Sequence, residues 1–258
     1  MNIGFIGIGK ISGALIDALC NSEGQDISIL LSPRNMERSS MLEARYDHVT
    51  RMESNQEVLD NCELVFIALK PDVCREVIGS LDFRPDHTVI SLIPYLGFSE
   101  LTKLVEPAKD ISRAIPLPTV VNHVCPVPVF NPMPVVTELL GRIGQLLVVK
   151  DEKQLHTIWT LTGLITPFYD LMAELSRWTT INGVEQDTAD KYIADMFNSL
   201  SYAASVMEKP DFSALAHHAA TPGGMNERAG KEIREASAHI AYCDAADRIM
   251  NNFKSVII

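Results

Sequence analysis

The sequence predicts an α/β chain in two parts: alternating strands and helices around a parallel sheet to about residue 150, then helices alone over 151–258. Three observations carry that prediction. The chain opens with a short apolar strand at Ile3–Ile6, a glycine-rich turn at Gly7-Ile8-Gly9-Lys10-Ile11-Ser12-Gly13, and a helical pattern at Ala14–Leu19. Continuous apolar runs then recur, as in strands buried on both faces. Past Asp151 these runs give way to the three-to-four-residue apolar spacing of helices.

The opening element has a ligand logic. Gly7 permits a tight turn, Gly9 lets a phosphate approach the backbone, and the helix start presents free N–H groups with a partial positive charge. Ser12 takes the third small position, with Gly13 behind it. Glycines also make plain turns. The flanking strand and helix supply the context that marks a Rossmann-type dinucleotide-binding domain, with Gly7, Gly9, Lys10 and Ile11 as candidate cofactor residues.

The second strand, Ile27–Leu31, bears on cofactor choice. An NAD site expects an acid about twenty residues past the glycines, to bond the ribose 2′-hydroxyl. Here the chain reads Ser32-Pro33-Arg34-Asn35. A hydroxyl and a guanidinium suit a 2′-phosphate, so Ser32 and Arg34 point to NADP. Ser32 would equally serve as a helix N-cap.

Further strands follow at Leu64–Leu69, which ends at Lys70-Pro71, then at Thr88–Ile93 and Ile111–Ile115. Pro116, Pro118, Pro126, Pro128, Pro132 and Pro134 exclude helix and predict turns and edge strands, with a brief strand at Val127, Val129 and Phe130. In the helical part, Asp187–Asp190 reads as a helix start, and Ile193, Phe197, Leu200, Ala204 and Met207 form one apolar face. Thr221-Pro222-Gly223-Gly224 breaks the chain, and one last helix runs through Ile233, Ala236, Ile240, Cys243 and Met250. These faces must be buried on the first domain or on a second subunit.

Composition narrows the class. A hydrophobic content of 47% and a charged content of 21% suit a globular enzyme. The net charge of −11 disfavours nucleic acid and anionic membrane surfaces. No apolar run approaches the roughly twenty residues of a membrane span, and the opening segment does not read as a signal peptide. Cys20, Cys62, Cys74, Cys125 and Cys243 lack metal-ligand spacing, so no metal is expected; they read as buried free thiols of a cytoplasmic protein.

Several motifs in order resemble the pyrroline-5-carboxylate reductase family: Ile6-Gly7-Ile8-Gly9-Lys10-Ile11, Ser32-Pro33-Arg34, Ala68-Leu69-Lys70-Pro71, Arg113-Ala114-Ile115-Pro116 and Thr221-Pro222-Gly223-Gly224. The resemblance spans nearly the whole chain. It implies a Rossmann domain (1–150) followed by an all-helical dimerisation and substrate domain (151–258). It also implies NADPH reduction of a cyclic imine to proline, by a homodimer or larger assembly. Ala68, Lys70 and Pro71 join the cofactor set on this basis, and Thr162, Thr166 and Asn226 become the substrate-side candidates.

The chain departs from the family pattern on the substrate side. Leu117-Pro118-Thr119 stands where the family has Asn-Thr-Pro. Thr162-Gly163-Leu164-Ile165-Thr166-Pro167-Phe168 replaces Ser-Gly-Ser-Gly-Pro-Ala-Tyr, and Asn226 replaces a carboxylate-binding threonine. These changes predict weak reduction of pyrroline-5-carboxylate or preference for another imine. Two other readings remain open: a related imine or keto reductase, and a nucleotide-binding regulatory protein without catalysis.

Overall fold

The computed structural model describes residues 1–24 and 27–254. In chain order the sheet half holds β1 (Asn2–Ile6), α1 (Lys10–Cys20), β2 (Ser28–Leu31), α2 (Met36–Arg45), β3 (Val49–Arg51), α3 (Asn55–Asp60), β4 (Leu64–Ile67), α4 (Cys74–Gly79), β5 (Thr88–Ser91), α5 (Phe98–Leu104) and β6 (Asp110–Ala114). A 3₁₀ turn at Pro118–Asn122 leads into β7 (Cys125–Phe130), α6 (Pro134–Gly141) and β8 (Gly144–Val149). The helices α7 (Glu152–Leu161), α8 (Ile165–Ile181), α9 (Gln186–Ser205), α10 (Phe212–Ala219), α11 (Met225–Glu235) and α12 (Ala238–Lys254) follow, with a 3₁₀ turn at Thr162–Leu164.

The sheet order is β3-β2-β1-β4-β5-β6-β7-β8. The strands from β3 to β6 pair in parallel, β7 runs antiparallel to β6, and β8 is parallel to β7. The 3-2-1-4-5-6 order is that of the dinucleotide-binding fold, with its crevice where the order reverses. Side chains alternate across the sheet and build two cores. Phe5, Leu15, Leu31, Phe66, Val127 and Val136 fill one face. Ile6, Val58, Val65, Ile67, Ile78 and Leu101 fill the other.

The chain divides into two compact units: Met1–Trp159 together with the stretch from Met250, and Thr160–Ile249. The helix α7 therefore belongs to the sheet unit, where Leu155 packs with Ile115 and Val149. The helical unit buries little of its own. Among the residues 160–249 its buried apolar side chains are Ala189, Ile193 and Ala204. A polar tie joins α8 to α9: the Ser176 hydroxyl donates to Asp190, and the Gln186 amide donates to both, at 2.9 and 3.0 Å.

Three local expectations need correction. Helix was excluded across the proline stretch, yet α6 starts on Pro134; the first helical position has no use for an N–H, so proline fits there. A strand carrying Pro126 and Pro128 was expected at a sheet edge, yet β7 lies between β6 and β8. The Pro128 carbonyl faces β6, accepting from the Ile115 N–H at 3.0 Å. In a strand a residue's N and O point the same way, so both prolines direct their missing donors toward β6, which pairs with β7 only at Val129 and Phe130. Finally, the single last helix is two, because Ser237 takes φ +56 between α11 and α12. No glycine announces that break.

Of the cysteines, Cys62, Cys74 and Cys125 are buried, Cys20 is half-buried, and Cys243 is exposed, which corrects its expected burial; all five are free thiols. Burial pushes the Cys20 and Cys62 thiols up to about 12. Among the described residues no helix is long and apolar enough to cross a membrane.

Candidate dinucleotide site

The C-terminal ends of β1 and β4 lie side by side at the point where the strand order reverses. The chain leaves β1 through Gly7 at φ +94, and a Cβ there would sit 2.5 Å from the Ala68 carbonyl oxygen. The fold itself demands that glycine. Gly9 is a different case. Its φ of −100 is open to any residue, and a Cβ would meet nothing within 4 Å. Neither the backbone nor the packing requires glycine at position 9; a bulky group lying against it would. The helix α1 begins at the next residue with no side-chain cap and no acid in its first turn. Its first N–H groups and partial positive charge are therefore available to an anion.

Neighbouring side chains brace the turn. The Ser12 hydroxyl donates to the Gly7 carbonyl at 2.6 Å. The Gly7 N–H donates to the Ser32 hydroxyl oxygen at 2.9 Å, and Ser32 is buried. The Asn35 amide donates to the Ile8 carbonyl at 2.7 Å, while its oxygen caps α2 by accepting the Arg38 N–H at 3.4 Å. Of the Ser32–Asn35 segment, Arg34 is the side chain that stands exposed without a partner. Lys10 and Lys70 are also exposed and unpaired. By topology all three cations sit at the C-terminal edge of the sheet, in a chain of net charge −11.

Ile11, Ala68 and Pro71 are half-buried, the first two packed against the core beside the turn. A cleft of about 550 Å³ between α1 and α2 is lined by Lys10, Gly13, Asn35 and Arg38 among others. Of its two acids, Glu37 lies in the first turn of α2, and Asp17 is paired with Arg45 at 2.9 Å and accepts from the Tyr46 hydroxyl at 2.9 Å.

A second polar assembly lies on the β5–β6 side. Arg113, near the end of β6, is wholly buried and pairs with Glu152 in the first turn of α7. Its Nη1 lies 2.8 Å from His156 Nε2, and its Nη2 donates to the Ile93 carbonyl at 2.8 Å. Burial, with the adjacent guanidinium, pushes the His156 pKa down to about 4, so the ring is neutral near pH 7. Burial also lowers the Arg113 pKa, and Glu152 opposes that shift. The motif Arg113–Pro116 flagged one member. Glu152 and His156 left no sequence signal, because their partner lies about forty residues away in the chain.

The substrate-side candidates occupy the helical unit. Thr162 opens the 3₁₀ turn and is half-buried, and Thr166 is exposed in the first turn of α8. Asn226 is exposed at the start of α11 and donates its amide to the Ala219 carbonyl at 2.9 Å. Leu117, where the family has asparagine, packs on the sheet core.

A family model described as NADP oxidoreductase, coenzyme F420-dependent, matches residues 2–95. The pyrroline-5-carboxylate reductase of Haemophilus influenzae is 27% identical over 236 residues, covering 86% of this chain and 85% of that protein. Among solved structures, the 1-pyrroline-5-carboxylate reductase of Streptococcus pyogenes superposes with a TM-score of 0.85 at 19% identity, over 99% of this chain and 98% of that one. The Plasmodium falciparum pyrroline carboxylate reductase, solved with NADP bound, gives 0.82 at 17% identity, with coverage of 99% and 98%. The solved structures carry the fold, and the near-full-length sequence relative agrees with the glycine turn: the chain is an oxidoreductase similar over nearly its whole length to the pyrroline-5-carboxylate reductases.

Proposed function

We propose that the protein is an NADPH-dependent reductase of a cyclic imine, with reduction of pyrroline-5-carboxylate to proline as the first reaction to test. The observation that carries this reading is Gly9, a glycine that nothing inside the chain requires, placed before the uncapped start of α1. Gly7, Gly9, Lys10 and Ile11 would hold the pyrophosphate against that helix start. Ser32 sets the turn from beneath, and Arg34 would meet the 2′-phosphate, with Asn35 and Arg38 beside it. Ala68, Lys70 and Pro71 would flank the cofactor from the end of β4. The bound cofactor supplies the hydride for the C=N bond; the protein binds and orients the imine.

Cofactor preference has a direct test. Arg34→Ala should raise the Kd for NADPH about tenfold or more and change that for NADH far less, because a charge-assisted phosphate contact disappears. Equal weakening of both cofactors in a calorimetric titration would sink the assignment.

Thr162, Thr166 and Asn226 are the proposed substrate contacts. The Asn226 amide is engaged by Ala219. A substrate carboxylate therefore meets fewer free donors, at roughly 1–3 kcal/mol for each buried group left unpaired. Turnover of pyrroline-5-carboxylate should accordingly be detectable but poor, with kcat/KM below about 10⁴ M⁻¹s⁻¹, or a different cyclic imine should be preferred. Steady-state NADPH oxidation over a series of cyclic imines decides this, and a higher value with pyrroline-5-carboxylate refutes the altered specificity. NADPH binding without oxidation by any imine would favour a non-catalytic regulatory protein. The division near residue 150 into cofactor and dimerisation domains, a homodimer or higher assembly, and a cytoplasmic location belong to the same proposal.

A further inference from the structure

The Arg113–Glu152 pair does something the dinucleotide turn does not account for. Arg113 Nη2 donates to the Ile93 carbonyl at 2.8 Å, while Glu152 Oε1, its ion-pair partner, accepts the Phe98 N–H at 2.7 Å. Ile93 and Phe98 are the two ends of the loop between β5 and α5. One ion pair thus holds that loop at both ends. Inside it Tyr95 takes φ +59, a conformation that a bulky residue keeps only when its surroundings impose it. The Tyr95 ring lies 4.5 Å from Phe253, which stacks on His156 at 4.7 Å, and the Trp159 ring centroid is 5.2 Å from Arg113 Cζ.

Position gives the loop its meaning. It leaves the C-terminal end of β5, in the β4-β5-β6 half of the sheet. A dinucleotide lies across both halves of such a sheet, one nucleotide to each. The glycine turn and Arg34 sit at the β1–β2 side, which assigns the adenosine there and leaves the nicotinamide to the other half. Arg113 is wholly buried and Glu152 partly so; such an ion pair contributes little net stability, since desolvation offsets its attraction and apolar replacements often do as well. What it fixes is therefore the better account of its presence.

We propose that Arg113 and Glu152 are positioning residues: their ion pair clamps Ile93–Phe98 in the conformation that backs the nicotinamide half of the cofactor. The inference rests on the nicotinamide-cofactor reading above. It predicts that NADP⁺ binding protects the loop, and that loosening the clamp lowers turnover while leaving affinity, set largely by the phosphates, in place.

The test is hydrogen–deuterium exchange of the 95–98 amides, with and without NADP⁺, together with calorimetric titration and turnover. In the parent protein NADP⁺ should slow exchange of the loop. Glu152→Gln keeps the side chain's shape but not its charge; Arg113→Lys keeps the charge but not the fork. Each should speed loop exchange about tenfold while leaving the glycine-turn amides unchanged, and lower kcat about tenfold with the Kd for NADPH within about threefold. A merely structural role would loosen both regions together, which overturns the clamp. So would a loop that ignores NADP⁺ when titration shows binding, or a loosened loop with unchanged kcat. If the variants fail to fold, the parent's response to NADP⁺ still decides. Absence of NADP⁺ binding would overturn the dinucleotide reading first and the clamp with it.

Discussion

Gly9→Val should abolish detectable NADPH binding, raising Kd at least about 100-fold, while the melting temperature stays close to the parent's. The two halves of this result have separate causes. The fold tolerates the change because Gly9 has a negative φ and a Cβ there meets nothing within 4 Å. Binding does not, because the branched side chain fills the space that the pyrophosphate needs in front of α1. A 100-fold loss corresponds to about 2.7 kcal/mol. The check is calorimetric titration alongside a thermal melt. Normal NADPH affinity in the folded variant would make the turn structural only. Gly7 is the contrasting control: with φ +94 and the Ala68 carbonyl 2.5 Å from a Cβ, its substitution should damage the fold itself.

Trp178→Glu should convert a dimer into monomers. The helical unit exposes Trp178 (64%), Ile181 (70%), Tyr192 (65%), Tyr202 (67%) and Phe212 (70%), against three buried apolar side chains of its own. Under the proposed dimer, this exposed apolar surface is the expected interface. In a two-fold interface each substitution is made twice. Burying an aromatic side chain removes about 150–250 Å² from water. At about 25 cal/mol per Å² the two copies together give roughly 7.5–12.5 kcal/mol before burial of the introduced charge is counted; partial initial burial cuts that to about 4–6 kcal/mol, so dimerisation should weaken by about 10³-fold or more. Sedimentation at micromolar concentration reads the outcome. A parent that is already monomeric, or a variant that remains dimeric, would contradict the assignment.

Much of the first unit was legible because its signals are local. Strand, glycine turn and helix occupy consecutive residues, and the central strands are unbroken apolar runs that need little context. The short elements were less legible. The three residues of β3 are too few to show a period. The strand β8, Gly144–Val149, follows α6 with no turn signal strong enough to separate them. Proline misled because its effect depends on position: it opens α6 at the one site where a missing donor is harmless, and sits in β7 where the donors are not needed.

The candidate site divides along the same line. Gly7, Gly9 and Arg34 could be put forward as candidates from the sequence because the chemistry of a phosphate site dictates residue types at fixed spacing. Ser32 was visible as a hydroxyl, but only the tertiary structure decided that its oxygen receives the Gly7 N–H under the turn. Arg113 was visible as part of a motif, but its pairing with Glu152 and its hold on both ends of Ile93–Phe98 required the β6 strand and α7 to be brought together. The sequence by itself determined the sheet-then-helix order, the glycine turn between β1 and α1 and the apolar faces, since these follow from backbone conformation and periodicity within a few neighbouring residues. Tertiary structure decided which polar atoms are already committed to one another and which stand free for a ligand, because hydrogen bonds and burial depend on residues distant in the chain.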